Sequence, residues 1–205
     1  MTDCYGDLAV TEYANVLAAK HFLSRAIKPL WPNMPRIAGP AYTVQLAPGD
    51  HLMLHAAIYE APKGSVIVVD GADCSRAVAG GNVCAIAKQR GILGFIVDGV
   101  IRDLGEITDM AFPVYAQGVF PVPGQKKRYF DLAQPIQCGG VSIRTGDIMV
   151  ADREGIVAIP KADASSVWQQ AKQKYELETR MTLAEWQTQH ETKVTQALLA
   201  AKTPS

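Results

Sequence analysis

GGNVCAIAKQRGILGFIVDGVIRD, residues 80–103, decides how this chain reads. Two glycines open it, and residues 83–89 form a short amphipathic segment. The chain turns at Arg90-Gly91, and residues 92–97 form an apolar run that predicts a buried strand. Asp98-Gly99 and then Arg102-Asp103 follow. A helix start with open backbone N–H groups therefore shares one supersecondary unit with a strand end that carries Arg and Asp. Helix N-termini attract anions through those N–H groups and the helix dipole. Arg grips carboxylates bidentately, and Asp holds hard cations directly or through water. Together they suit a small anionic substrate. An isolated Arg-Asp pair is more often a surface ion pair of little energetic weight. Its position beyond the carboxyl end of an apolar strand, where open α/β sheets bind ligands, turns the reading toward function.

Outward from this stretch, residues 41–46 alternate and predict a strand, and Pro48-Gly49-Asp50 predicts a turn. Asp50 suits the N-cap of a helix over 51–61. Residues 65–69 (SVIVV) form a strong buried strand, 104–110 a short helix, and 112–116 another strand. Residues 117–131 read as a solvated loop with Lys126, Lys127 and Arg128. Residues 135–143 predict one strand with Gly139-Gly140 at a bulge. Residues 148–151 and 156–159 form a hairpin around Arg153-Glu154-Gly155. At the front, 8–28 predicts a helix with Val16, Leu17, Ala19 and Phe22 on one face, stopped by Pro29, Pro32 and Pro35. At the back, 161–202 is helical and polar, with Trp168, Tyr175, Leu183 and Trp186 as anchors. It is too long to pack only on its own domain. The alternation predicts an α/β fold with a mixed sheet and a long C-terminal helix. With no internal repeat and no composition break, residues 1–205 form one domain with a helical extension from about 161.

The chain has 205 residues, 48% hydrophobic and 20% charged, with zero net formal charge. That balance speaks against a nucleic-acid partner, which calls for a basic patch. No apolar run approaches the roughly 20 residues needed to span a bilayer, so no membrane partner is expected. Residues 1–16 hold early acids and no basic run, unlike a signal peptide, and the expectation is a cytoplasmic protein. Cys4, Cys74, Cys84 and Cys138 form no CxxC pair and have no His at zinc-finger spacing, so they read as reduced thiols. His51 and His55 lie four apart on the predicted helix, a spacing that can hold a metal. With no third ligand evident, they read as a partly buried or surface pair. Asp70 and Asp98 each precede Gly after an apolar run and read as turn residues. No lysine stands out for Schiff-base chemistry, no G-x-S-x-G occurs, and no Gly-rich cofactor loop follows the first strand.

GPAYTV (39–44), PGD (48–50), VIVVDG (66–71), the central stretch, GGV (139–141), GD (146–147) and DREGIV (152–157) occur in that order. This series resembles the RraA-like family, which contains the class II 4-hydroxy-4-methyl-2-oxoglutarate and 4-carboxy-4-hydroxy-2-oxoadipate aldolases. The likeness spans residues 35–185. It implies a swivelling β/β/α fold, homotrimers or hexamers, and divalent-metal-dependent (Mg²⁺ or Mn²⁺) cleavage of a small 2-oxo acid to pyruvate. Oxaloacetate decarboxylation would be a side activity through the same enolate. The resemblance implies a pyruvate cradle from the backbone of Gly80, Gly81, Asn82 and Val83. It implies Arg102 as the enolate-stabilising residue and Asp103 as the metal carboxylate acting through bound waters. It also implies a metal-site carboxylate from a neighbouring subunit at Glu178, with Glu176 as the alternative. The sequence departs from the family at three points: Val83 stands for Leu, Gly81 for an acidic residue, and His51 for Asn. The other function the family allows is a protein-binding regulator of a ribonuclease, without catalysis. The metal carboxylate Asp103 speaks against that reading.

Overall fold

The computed structural model describes residues 3–202. Its main sheet is built on four parallel strands: β2 (Ile37–Gln45), β3 (Val66–Asp70), β4 (Gly94–Ile101) and β5 (Val114–Val119). Short β1 (Lys28–Pro29) pairs antiparallel with β5 at one edge. At the other edge lie the antiparallel β8 (Ile148–Asp152) and β9 (Gly155–Ile159), giving the order β1-β5-β4-β3-β2-β8-β9. Strand β2 serves two neighbours in turn: Ile37–Pro40 pairs with β8 and Ala41–Gln45 with β3. At Gly39 a Cβ would lie 2.8 Å from the Gly64 carbonyl oxygen and 2.7 Å from Leu93 Cδ1, so the close approach there requires glycine. A separate hairpin, β6 (Ile136–Cys138) and β7 (Val141–Ile143), lies under the sheet.

The runs of Val and Ile in β3 and β4 are buried because both sheet faces are covered, as parallel sheets demand. On one face, α2 (Leu52–Glu60), α3 (Gly81–Gln89) and α4 (Leu104–Asp109) pack on Val69, Phe95, Val97 and Val114. On the other face, Val66, Val68, Ile96 and Tyr115 pack with the hairpin and the inner face of β8 and β9. The outer face of β8 and β9 takes α1 (Val10–Ala14) and α5 (Ala164–Thr179). The helix α6 (Leu183–Lys202) has no buried residue. No helix among the described residues is long and apolar enough to cross a membrane.

Three elements differ from the sequence expectation. The helix expected over 8–28 is only α1, followed by a 3₁₀ turn at Ala19–His21. Its apolar residues are needed in different cores: Val10 and Tyr13 pack under α5, while Leu23 and Ile27 pack against the hairpin. The edge of β9 completes the unwinding, since Leu23 N–H donates to the Ile156 carbonyl at 3.0 Å and Phe22 bridges to Val157. Residues 135–143 form two strands, not one bulged strand. Gly139 and Gly140 both have positive φ (57° and 79°), the requirement of a tight hairpin turn. The C-terminal segment is two helices, not one. Thr182 and Glu185 form a reciprocal capping box, with Thr182 N–H to Glu185 Oε2 at 2.8 Å and Glu185 N–H to Thr182 Oγ1 at 3.3 Å. That motif starts α6 afresh after Arg180.

Asp70 is the expected turn residue, accepting the Ala72 N–H at 3.2 Å. Asp98 is not: it lies inside β4, where its carboxylate accepts Gly139 N–H at 2.7 Å and the Gln117 side-chain amide. It ties the hairpin turn to the central strand. Asp98→Ala should therefore lower stability by about 2 kcal/mol, the usual result of leaving partly buried donors without an acceptor. A chemical-denaturation midpoint shifted down at constant slope checks this.

Candidate functional site

The site forms where β4 ends. Residues just before α3 run beside that end: Val78 N–H donates to the Val100 carbonyl and Arg102 N–H to the Ala79 carbonyl, each at 3.0 Å. The chain then reverses through Asp103, whose φ of 59° and ψ of 40° are left-handed. Asp is among the few L-residues that tolerate this region. The reversal aims the Asp103 carboxylate back at α3, where Oδ2 accepts Gly81 N–H at 3.1 Å. Arg102 Nε lies 3.3 Å from the same oxygen. Gly80 sits against both side chains, and a Cβ there would come 2.4 Å from Asp103 Oδ2 and 3.1 Å from Arg102 Nε. Only glycine leaves that space open.

Of the residues expected from sequence, Gly80, Asn82, Val83, Arg102 and Asp103 line one cleft of about 70 Å³. The N–H of Gly81 is taken by Asp103, so the N–H groups left for a ligand at the start of α3 are those of Asn82 and Val83. Glu178 lies exposed on α5, which packs on the far face of β8 and β9, and no residue of α5 lines this cleft. Glu176 is exposed on the same helix.

Two cleft residues were not assigned a role from sequence. His51 and His55, expected as a partly buried or surface pair, form one wall of the cleft. Their rings stack with centroids 4.1 Å apart. The signal was present in the i, i+4 spacing after Pro48-Gly49-Asp50, but only the fold turns that helix face toward Arg102. Burial pushes the His55 imidazole down to about 4, helped by the charges of His51 and Lys126. Burial and Lys126 also lower His51, with Arg102 adding a little and the Ala77 backbone and Asp50 pulling the other way.

The loop carrying Lys126 is not simply solvated. Asp50, only 3% exposed, accepts N–H groups from Leu52 (2.8 Å), Lys127 (2.7 Å) and Arg128 (3.2 Å). Burial pushes its carboxyl up, but those three bonds outweigh it and hold the group below the usual aspartate value. Gln125 N–H donates to the Gly49 carbonyl and His51 N–H to the Gln125 carbonyl, each at 2.8 Å. A basic loop is thus pinned beside the start of α2, close enough for Lys126 to act on both histidines. Asp50 precedes the α2 cap position and performs this role as well as bonding the first turn.

Among the described residues, no group of three or more His, Cys, Asp or Glu side chains could hold a metal. Asp103 alone offers the cleft a carboxylate, and its Oδ2 is already bonded. Mg²⁺ and Mn²⁺ accept such a site, because a hard cation keeps most of its waters and takes one or two carboxylates plus ligand oxygens. The donor set does not fit a closed tetrahedral zinc centre. Cys84 and Cys138 are buried thiols whose burial pushes them up, Cys84 to about 12, so neither is a nucleophile.

The sequence pattern of the RraA-like family, described as Aldolase/RraA, matches residues 9–158. A relative from Halalkalibacterium halodurans, named "Putative 4-hydroxy-4-methyl-2-oxoglutarate aldolase", is 45% identical over 153 residues, 74% of this chain and 72% of its own length. A crystal structure of an uncharacterized protein from Pseudomonas syringae superposes with a TM-score of 0.78 at 27% identity, covering 87% of this chain and 84% of that one. The RNA-processing inhibitor RraA from Thermus thermophilus superposes with a TM-score of 0.68 at 24% identity, covering 75% and 93%. That last likeness shows the fold alone.

The buried imidazoles set a pH dependence. The unfolded chain protonates His55 near 6.5, while the folded chain resists until about 4. Stability is therefore lost as pH falls through that window. The melting temperature should drop between those values, and His55→Gln should flatten the drop. Thermal unfolding followed across the pH range checks both.

Proposed function

Because this chain belongs to the RraA-like family, we propose that it is a divalent-metal-dependent pyruvate aldolase. Its substrate would be a 4-hydroxy-2-oxo acid of the 4-hydroxy-4-methyl-2-oxoglutarate or 4-carboxy-4-hydroxy-2-oxoadipate type, with oxaloacetate decarboxylation as a side activity. The observation that supports this best is the meeting of Arg102, Asp103 and the Asn82 and Val83 backbone in one small cleft. A bound Mg²⁺ or Mn²⁺ would supply Lewis-acid polarisation of the 2-oxo group. Asp103 would hold that ion, largely through water. The Asn82 and Val83 N–H groups and the helix dipole would receive the substrate carboxylate. Arg102 would stabilise charge on the enolate oxygen, an effect of roughly 3 kcal/mol for one well-placed donor. Glu178 would come from a neighbouring subunit to complete the metal surroundings, where outer partners orient ligands.

The alternative, a ribonuclease regulator without catalysis, rests on a likeness that reaches only the fold. A pure binding surface also has no use for a left-handed Asp103 and a Cβ-free Gly80 around an open cleft. Assembly as a trimer or hexamer draws support from α6, which buries nothing and on which Leu183, Trp186, Val194 and Leu198, spaced 3, 8 and 4 residues apart, are exposed within one broad sector.

Pyruvate release from oxaloacetate and from 4-hydroxy-4-methyl-2-oxoglutarate, with Mg²⁺ or Mn²⁺ and then with EDTA, tests the reading. Asp103→Ala should abolish the metal-dependent rate. Arg102→Lys should lose about 100-fold, because an ammonium lacks the planar fork. A lysine variant of normal kcat would leave Arg102 as an ion-pair residue only. Truncation after Arg180 removes α6 but keeps α5 on its core. It should lower the mass in light scattering and lower activity with it, whereas a fully active monomer would refute subunit sharing.

A further inference from the structure

We propose that the His51 imidazole is the base of carbon–carbon cleavage, its Nε2 taking the proton of the substrate's 4-hydroxyl group. The inference rests on the aldolase reading and adds a residue to it. Cleaving a 4-hydroxy-2-oxo acid requires that hydroxyl to lose its proton as the C3–C4 bond breaks. Losing carbon dioxide from oxaloacetate requires no such base, although both reactions leave the same enolate.

Few groups lining the cleft can accept a proton. Arg102 is always charged and Asn82 is neutral. The Asp103 carboxylate is engaged by Gly81 N–H and by Arg102. That leaves the two histidines. His55 is too weak a base, held down to about 4. His51 is 8% exposed, and its ring is fixed by stacking on His55. A Cβ built on Gly124 would lie 3.2 Å from His51 Cγ and Nδ1, so the backbone lies flat against that side of the ring. The Ala77 carbonyl, which accepts Gly124 N–H at 2.9 Å, raises the proton affinity of the ring. With the resting proton on Nδ1, the nitrogen beside Gly124, the Nε2 lone pair would be left for the cleft. The ring is oriented as a base is oriented by an acceptor behind it.

Size places substrate against it. The cleft is small, about 70 Å³, and the histidine wall lines it together with Arg102, Asn82 and Val83. A 2-oxo acid seated on Arg102 and the Asn82 and Val83 N–H groups has its next carbons at the histidine wall. His51 is neutral there at neutral pH, the form a base requires. In the step, the hydroxyl proton moves to Nε2 and the C3–C4 bond breaks. Its electron pair becomes the pyruvate enolate, and C4 becomes the carbonyl of the second product. The enolate takes a proton at C3 from water, and the imidazolium returns its own proton to solvent.

The test compares two reactions of one active site. For His51→Asn and His51→Ala, kcat is measured on 4-hydroxy-4-methyl-2-oxoglutarate and on oxaloacetate under identical Mg²⁺. The ratio of the first to the second should fall by at least ~100-fold, the usual contribution of a positioned base. Added imidazole should restore cleavage to His51→Ala. If a variant fails to fold, the other and His51→Gln carry the comparison. A ratio that stays at the wild-type value, with both reactions falling together, would overturn the proposal and make His51 a structural wall. A wild-type protein inert on both substrates would refute the aldolase reading itself.

Discussion

One hydrogen bond, from Gly81 N–H to the Asp103 carboxylate, joins the start of α3 to the end of β4. The site depends on it. Asp103 accepts it from a left-handed backbone, a state that costs roughly 1 kcal/mol or more. A hydrogen bond to a charged acceptor contributes about 1.5–3 kcal/mol and offsets that strain. The Arg102–Asp103 ion pair does not hold the geometry, because its side chains are 42% and 34% exposed. Such a pair contributes under about 1 kcal/mol. The carboxylate is fixed by the backbone donor, and the arginine stays available to a ligand.

The local charge follows from the same arrangement. The chain is neutral overall, and the cleft region gathers Arg102, the start of α3 and the nearby Lys126 against two carboxylates, Asp103 and the Glu106 beside Gly81. Lys126 is there because buried Asp50 holds the backbone of the neighbouring residues. A negative residue thus holds a positive one near the cleft without lining it. Small anions are drawn to such positive groups. Burial keeps both histidines uncharged there, so they add polar atoms without adding to the field.

The sequence made local features legible where one principle ruled. Residues 65–69 and 92–97 could only be buried strands, and the glycine pair before an amphipathic run could only start a helix. The placing of the α3 start beside Arg102-Asp103 was readable for that reason. What escaped was set at long range. The stretch 8–28 has helical composition, but β9 offers an open edge, and pairing there outweighs propensity at Phe22 and Leu23. Asp98 looked like a turn residue because its partner, Gly139, lies 41 positions away. Asp50 and the basic loop are 77 and 78 residues apart at their bonds, so no local pattern could connect them. The break at Arg180 was readable, since Thr182-x-x-Glu185 is a capping box, but the helical composition on both sides hid it.

The cleft as one chain builds it is small and holds a single carboxylate, while the C-terminal region is over-supplied with what the cleft lacks. Glu178 follows Ala171 by two helical turns, so it continues the buried stripe of α5 beyond the end of its own core. After it the chain caps itself and begins α6, which buries nothing and leaves Leu183, Trp186, Val194, Leu198 and Leu199 exposed. A helix of 20 residues, about 30 Å long, gains little from intrinsic propensity alone. Its stability calls for a surface to cover those side chains. In the proposed trimer or hexamer, one association would meet both needs: α6 would bury its exposed apolar residues on a neighbour, and α5 would be carried toward that neighbour's cleft. Catalysis would then depend on assembly through the metal surroundings, while Arg102, Asp103 and the histidine wall stay within one chain.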